Sequence, residues 1–305
     1  FIQYLQKFFE PVRDLAEKFN IIQTAMASSE RIFELLDTPE QLPDKVPHQP
    51  GFKIKGNVEF KDVWFAYNEE NFILKGISFS LSEGESLAII GATGSGKSTL
   101  VNTLCRFYDI QKGNILFDGK PIKSINKYDL RRQIALVQQD VFLFSGNISD
   151  NIRLGNPHIV QKEIESISQS VSAHKFISNL PFKYDQKLKE GGVGISSGQM
   201  QLISFARALA SNPRILVLDE ATSSVDLETE SQIQSGIQEL IRERTSIIIA
   251  HRISTLMYAD KILVLKHGQI VEFGFRKELL QQKGIFYKLC QSQLQSQSLT
   301  SDNVE

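Results

Sequence analysis

The sequence predicts an α/β fold in which a mostly parallel β-sheet carries helices on its faces. Short, largely apolar runs at residues 86–90, 215–218, 247–250 and 262–265 fit buried parallel strands. Helical patterns follow the first run and separate the second from the third. A glycine-rich stretch, residues 91–98, joins the first run to a helix. Together these features place a loop of unusual backbone freedom at the end of a central strand.

The glycine-rich stretch Gly91-Ala92-Thr93-Gly94-Ser95-Gly96-Lys97-Ser98 fits the pattern G-x-x-x-x-G-K-[ST]. Glycines let successive backbone N–H groups point inward, and the following helix adds its positive end, so the loop is suited to bind phosphate. Lys97 can reach the outer phosphates, and the Ser98 hydroxyl can ligate Mg²⁺. The alternative is a turn that binds nothing, but the flanking strand and helix argue against it.

Composition narrows the function class. The chain has 305 residues and a formal net charge of −1. It therefore lacks the overall positive charge that would indicate a nucleic-acid partner. Cys105 and Cys290 lie far apart, fit no metal spacing and are expected to be reduced thiols. No stretch approaches the ~20 apolar residues of a membrane helix. The first residue is Phe1, so we expect the chain to be a piece of a longer protein.

The first 56 residues are predicted to lie outside the main domain. Residues 1–36 place apolar side chains at helical spacing, with Pro11 expected to kink the helix or mark a restart. This pattern indicates an amphipathic helix that packs on a partner or on another part of its own chain, with an artefact of truncation as the alternative. Four prolines mark residues 37–56 as a linker.

The main domain is predicted to span residues 57–291. Alternating apolar residues at 58–65 and 77–81 indicate antiparallel strands, expected beside the strand before the phosphate loop. A hairpin is expected around Asp118-Gly119, a strand at 135–137, mostly helices at 148–180 and a final hairpin at Gly268. The tail, residues 292–305, is rich in Gln and Ser and is expected to be disordered.

Polar residues end two of the apolar runs. Asp219 and Glu220 follow one strand, and His251 follows the next. Because ligands in parallel sheets sit at the carboxyl ends of strands, Asp219 is placed to hold Mg²⁺ and Glu220 to polarise a water. His251 is placed to donate a hydrogen bond to a phosphate. A structural ion pair for the two acids, and a plain core histidine, are the alternatives.

With these features in sequence order, residues 56–291 resemble the nucleotide-binding domain of an ATP-binding cassette (ABC) transporter, a P-loop NTPase cassette with an antiparallel β subdomain and a helical subdomain. Residues 195–199, Ile-Ser-Ser-Gly-Gln, resemble the signature motif usually written LSGGQ, and 223–226 resemble the D-loop. The resemblance implies catalytic roles for Gln139, Glu220 and His251, and Mg²⁺ ligation by Ser98, Gln139 and Asp219. It implies that ATP contacts Tyr67, Gly91, Ala92, Thr93, Gly94, Ser95, Gly96, Lys97, Ser98, Thr99, Ser196, Gly198 and Gln199.

Other segments resemble exporter half-transporters. These are residues 142–148 after Gln139, residues 190–192 before the signature, and residues 1–36, which resemble the cytoplasmic end of the last transmembrane helix. Departures from the family pattern are Ile195, Ser197, Met200, Leu202, Gln138 and Arg276. Because Ser196 and Gly198 are kept, the signature is expected to work.

The resemblance implies ATP hydrolysis that powers export across a membrane. It also implies a second nucleotide-binding domain as partner, in a homodimer or a heterodimer, and a transmembrane domain in the same protein. The protein would lie in the inner or plasma membrane with this portion on the cytoplasmic side, and no nucleic acid partner is expected. A soluble ABC-type ATPase without a membrane partner is the main alternative, and a phosphate-loop kinase for small molecules is another.

Overall fold

The computed structural model describes residues 1–38, 44, 46–68, 71–154, 156–219, 227–250 and 253–291. The chain divides into two compact units, residues 1–43 and 44–305. The described part of the first unit is one helix, α1 (Ile2–Asp37), whose side chains are all exposed. It continues through Pro11, so the predicted restart is wrong; a proline removes one backbone donor, and the neighbouring turns keep the helix intact here.

The second unit contains all of the described strands. Their bounds are β1 (Val58–Phe65), β2 (Leu74–Leu81), β3 (Ser86–Ile90), β4 (Lys112–Phe117), β5 (Lys120–Pro121), β6 (Ile134–Val137), β7 (Gly146–Asn147), β8 (Lys187–Leu188), β9 (Ile215–Asp219), β10 (Thr245–Ile249), β11 (Lys261–Lys266) and β12 (Gln269–Phe275).

Its helices are α2 (Lys97–Leu104), α3 (Lys127–Arg131), α4 (Ile148–Arg153), α5 (Gln161–Ser170), α6 (His174–Ser178), α7 (Ser197–Ala210), α8 (Leu227–Ile241), α9 (Ile253–Leu256) and α10 (Arg276–Gln282). Short 3₁₀ turns lie at Ile122–Ser124, Lys183–Asp185 and Glu190–Gly192. Nowhere in the described ranges is a helix both long and apolar enough to span a bilayer.

The main sheet has the strand order β12-β11-β3-β10-β9-β6, and its strands are parallel except for the edge strand β12. A separate antiparallel sheet has the order β2-β1-β4-β5. The predicted hairpins at Asp118-Gly119 and at Gly268 are confirmed. The position predicted for β1 and β2 is wrong, because β3 pairs with β10 and β11 instead. A strand buried on both faces needs neighbours that are equally apolar, and β10 and β11 provide them.

The parallel sheet lies between two apolar layers. Along β3, Leu87 and Ile89 pack with the antiparallel sheet and α2, whereas Ala88 and Ile90 pack with the helical layer that contains α4, α5 and α7. The strands β9 and β10 divide in the same way. Since successive side chains of a strand point to opposite faces, a continuously apolar strand is what this three-layer arrangement requires.

Candidate functional site

The carboxyl ends of four parallel strands meet at one edge of the main sheet. In the strand register Ile249 of β10 pairs with both Ile89 of β3 and Asp219 of β9, and Val137 of β6 pairs with Leu218. The residues that follow these strands therefore share one edge. A cavity of about 520 Å³ opens there, lined by Ile73, Thr93, Gly94, Gly96, Lys97, Ser98, Thr99, Gln139, Asp219 and Ile249.

The loop before α2 needs glycine at two positions. At Gly91 a Cβ atom would overlap the backbone oxygen of Leu265 and approach Ser95 Oγ to 2.7 Å. Gly96 precedes α2 with a φ of 107°, where a Cβ atom would lie 3.1 Å from Leu74. The loop thus turns tightly against the neighbouring backbone. The first N–H groups of α2 have no partner within the helix and are available to an anion.

Lys97 is the buried cation of the pocket, with 8% of its surface exposed. Its Nζ donates hydrogen bonds to the backbone oxygens of Gly91 at 2.8 Å and Ala92 at 3.2 Å. Burial lowers the pKa of the Lys97 ammonium, and the charge of Asp219 opposes that shift. The lysine is therefore held against the loop, close to the carboxylate at the end of β9.

The oxygen donors in the pocket suit a hard divalent cation. Ser98 supplies a hydroxyl, Gln139 an amide and Asp219 a carboxylate, and all three line the same cavity. Mg²⁺ prefers such oxygens and usually takes one or two carboxylates together with substrate phosphates and water. Within the described ranges no cluster of three or more His, Cys, Asp or Glu could hold a metal by itself. The donor set therefore fits Mg²⁺ bound together with a phosphate substrate.

Tyr67 lies beside the pocket rather than in its lining. Its hydroxyl donates to Thr99 Oγ1 at 3.4 Å, and Thr99 does line the cavity. The side chain is 44% exposed, so part of it is open to a ligand. This position is compatible with the stacking role that the resemblance implies.

The signature residues lie away from the pocket lining. Ser196 caps the N-terminus of α7: its Oγ accepts from the N–H of Gln199, and Gln199 Oε1 accepts from the N–H of Ser196, both at 3.2 Å. The capping box uses the N–H of Gln199, and of the first two residues of α7 Ser197 is exposed whereas Gly198 is buried. Within one chain the structure does not bring Ser196, Gly198 or Gln199 into the lining of this cavity.

Several predicted residues fall outside the described ranges. These are Glu220, the D-loop segment 223–226 and His251. Their neighbours Asp219 and Ala250 stand at the carboxyl edge of the sheet. The predicted disordered tail, 292–305, also lies outside the described residues.

A partly buried hydrogen-bond network around Arg207 was not predicted from the sequence. Arg207 of α7 donates from Nε to the backbone oxygen of Asn151 at 2.9 Å, from Nη2 to Asn151 Oδ1 at 3.0 Å and from Nη1 to the oxygen of Phe142 at 3.1 Å. The side chain of Asn151 also binds both backbone groups of Phe144: Oδ1 accepts from its N–H and Nδ2 donates to its oxygen, both at 2.9 Å. A single arginine among the apolar residues of α7 was the available signal.

Comparisons with known proteins agree on one family. The model of the family described as ABC transporter matches residues 74–223. The uncharacterized ABC transporter ATP-binding protein YknV of Bacillus subtilis is 45% identical over 96% of this chain and 48% of its own length. A fatty acid ABC transporter ATP-binding/permease protein of Mycobacterium bovis is 44% identical over 95% of this chain and 46% of its own.

A solved structure shows the same fold. The structure of a bacterial Atm1-family ABC exporter with ATP bound matches with a TM-score of 0.79 and 36% sequence identity. The match covers 95% of this chain and 51% of that one. The chain thus spans about half the length of the relatives it matches.

Proposed function

Because the chain belongs to the ABC transporter family, we propose that its pocket binds ATP with Mg²⁺ and that hydrolysis there powers export of a substrate across a membrane. ATP binding and hydrolysis follow from the family. The observation that carries the proposal is that Lys97 and Ser98 of α2, Gln139 after β6 and Asp219 of β9 line one cavity. Relatives named as transporters and an exporter favour this function over a soluble ATPase.

The phosphates of ATP would be held by backbone amides and one ammonium. The loop 91–96 and the first turn of α2 supply N–H groups, and Lys97 supplies the charge. Lys97 would exchange its bonds to the loop oxygens for stronger bonds to phosphate oxygens. Ser98, Gln139 and Asp219 would hold Mg²⁺, which when bound neutralises charge on the phosphates.

Chain order supports the remaining catalytic assignments. Glu220 directly follows the last residue of β9, and His251 follows β10 by two positions. Both lie outside the described residues, so the assignment rests on their order in the sequence and on the family resemblance. We assign Glu220 as the general base that orients and deprotonates the attacking water, and His251 as a donor to the outer phosphate.

A second nucleotide-binding domain would complete the site. Ser196 and Ser197 are exposed at the N-terminus of α7, the end of a helix that favours an anion, and neither lines the pocket of its own chain. We assign them to the ATP held by the partner domain. Whether the partner is a second copy or a related chain would follow from the concentration dependence of the ATPase rate.

The segment after Gln139 is the best candidate for contact with a transmembrane domain. Phe142 and Phe144 pack edge to face with centroids 5.1 Å apart, remain 45% and 51% exposed, and line a groove of about 300 Å³. With α1 as the end of a transmembrane segment, the complete protein would sit in the inner or plasma membrane with this portion on the cytoplasmic side.

Substitution of Glu220 tests the catalytic proposal. Loss of a positioned general base costs ~10²–10⁴ in rate, so Glu220→Gln should lose about that much turnover and still bind ATP. Glu83→Gln, the same change at an exposed position, is the matched control. Near-normal hydrolysis by Glu220→Gln would remove Glu220 from this role. Lys97→Ala should instead weaken ATP binding, and unchanged affinity would reject the pocket itself.

A further inference from the structure

Tyr67 is held by the helix that begins at the phosphate loop. Its hydroxyl accepts a hydrogen bond from Asn102 Nδ2 at 3.1 Å and donates to Thr99 Oγ1 at 3.4 Å. Both partners belong to α2, whose first residue is Lys97. The ring packs nearly perpendicular to Phe65 and Tyr108, with both centroid distances 4.9 Å. The tyrosine is therefore fixed at its tip and around its ring.

The backbone before Tyr67 is fixed as well. Gln111 Oε1 accepts from the N–H of Ala66 at 3.0 Å, and Gln111 Nε2 donates to the oxygen of Ala66 at 2.8 Å. The N–H of Gln111 donates to the oxygen of Trp64. This bracket holds the residue next to Tyr67 in place, although β1 has already ended at Phe65. The exposed ring thus stands on an ordered support.

The helix α2 sets the spacing between the ring and the phosphate-binding loop. Asn102 lies five residues after Lys97, about 7.5 Å along the helix axis at the rise of an α-helix. One helix carries both the phosphate-binding lysine and the hydrogen-bond partner of the ring. The distance between the sites for the phosphates and for the base would therefore be fixed by α2. Without this hydrogen bond the ring would be free to rotate before the nucleotide binds. Its loss of rotational freedom on binding would then lower the affinity.

We infer that Asn102 is a positioning residue for nucleotide binding, which acts through the Tyr67 hydroxyl to present the ring to the base. The inference rests on the proposed function, since it takes the pocket to be the ATP site. Stacking on an aromatic ring tolerates different bases. Loss of Asn102 should therefore weaken ATP and GTP by a similar factor.

The test measures equilibrium binding of a non-hydrolysable ATP analogue with Mg²⁺ by calorimetry. A neutral hydrogen bond corresponds to about a fivefold change, so Asn102→Ala should raise the Kd about three- to tenfold. Where turnover is measured, KM should rise by the same factor while kcat stays within about twofold. Asn114→Ala, the same change at an exposed position of β4, should leave the Kd unchanged.

A double-mutant cycle separates positioning from a structural effect. Tyr67→Phe keeps the ring and removes the hydroxyl, so it should weaken binding as much as Asn102→Ala, and the two changes together should do no more than either one. Additive losses, or a Kd for either single variant equal to that of the wild type, would overturn the inference. Failure of the wild-type chain to bind the analogue would instead refute the proposed function.

Discussion

Arg207 should stabilise the domain through uncharged partners. It donates three hydrogen bonds at 2.9–3.1 Å to Asn151 and Phe142, and its guanidinium lies 5.8 Å from the ring centroid of Phe144. Burial lowers the pKa of this arginine, which reflects the cost of holding its charge away from water. Replacement by alanine removes that cost but takes one donor from each oxygen of Asn151, so that Oδ1 keeps only the amide of Phe144 among these bonds.

The expected magnitude follows from these contacts. The bond to Phe142 lies at the surface, where water can replace it, whereas the bonds to Asn151 are partly buried. Each of the two bonds from the charged donor contributes ~1.5–3 kcal/mol to the free energy of unfolding. Arg207→Ala also removes the cost of burying the guanidinium, so the net loss of stability should be about 2 kcal/mol. That loss lowers the melting temperature by roughly 4–8 °C for a domain of this size. Arg207→Lys keeps the charge but lacks the planar fork, so it should lose most of the same stability.

Thermal unfolding of Arg207→Ala and Arg207→Lys beside the wild type checks this, with hydrogen exchange of the Phe144 amide as a local measurement. That amide donates to Asn151 Oδ1, so its exchange should quicken when Arg207 no longer holds Asn151. Arg242→Ala is the control, because that arginine is 70% exposed and its ion pair with Glu239 is 3.9 Å long. Melting temperatures of both Arg207 variants within 1–2 °C of the wild type, on the order of the control's shift, would refute the reasoning.

Other expectations concern thiol reactivity, acid stability and the loop. Burial raises the pKa of the Cys105 thiol to about 12, so mass spectrometry after alkylation of the native protein at pH 8 should find label on Cys290 before Cys105; equal labelling would contradict it. Burial acts to raise the pKa of Asp118, but bonds from Asn57 and the backbone N–H groups of residues 55–57 outweigh it and lower that pKa. This stabilisation is present above the unfolded pKa and is lost as pH falls, so Asp118→Asn should lower the urea midpoint at pH 7 and the gap should close below about pH 4; a gap independent of pH would be inconsistent. Gly91→Ala should weaken ATP binding, because the added methyl group meets the backbone of Leu265, whereas normal affinity would show that the loop can shift.

Local patterns determined much of the fold. The apolar runs of β3 after Ser86 and of β9 before Asp219 predicted buried parallel strands, because no polar side chain interrupts either run. The glycine loop predicted the start of α2, since glycines and a lysine at this spacing suit few other structures. These two features also predicted that Lys97, Ser98 and Asp219 lie together at the carboxyl ends of the parallel strands.

Long-range relations were not readable from local patterns. The alternation in β1 and β2 showed one buried face but not which sheet that face covers, so their place beside β3 was predicted wrongly. The contacts of Arg207 join residues 56 and 65 positions apart, and no periodicity encodes such a pair. The hydrogen bonds from Asn102 to Tyr67 and between Ala66 and Gln111 join residues 35 and 45 positions apart in the same way.

The most direct test of the proposed phosphate-binding pocket is a crystal structure of the chain with a non-hydrolysable ATP analogue and Mg²⁺. We expect the phosphates on the amides around Lys97 and the metal beside Ser98, Gln139 and Asp219. An analogue bound elsewhere, or bound here with the lysine still on the oxygens of Gly91 and Ala92 and Asp219 turned away from the metal, would contradict the proposed function.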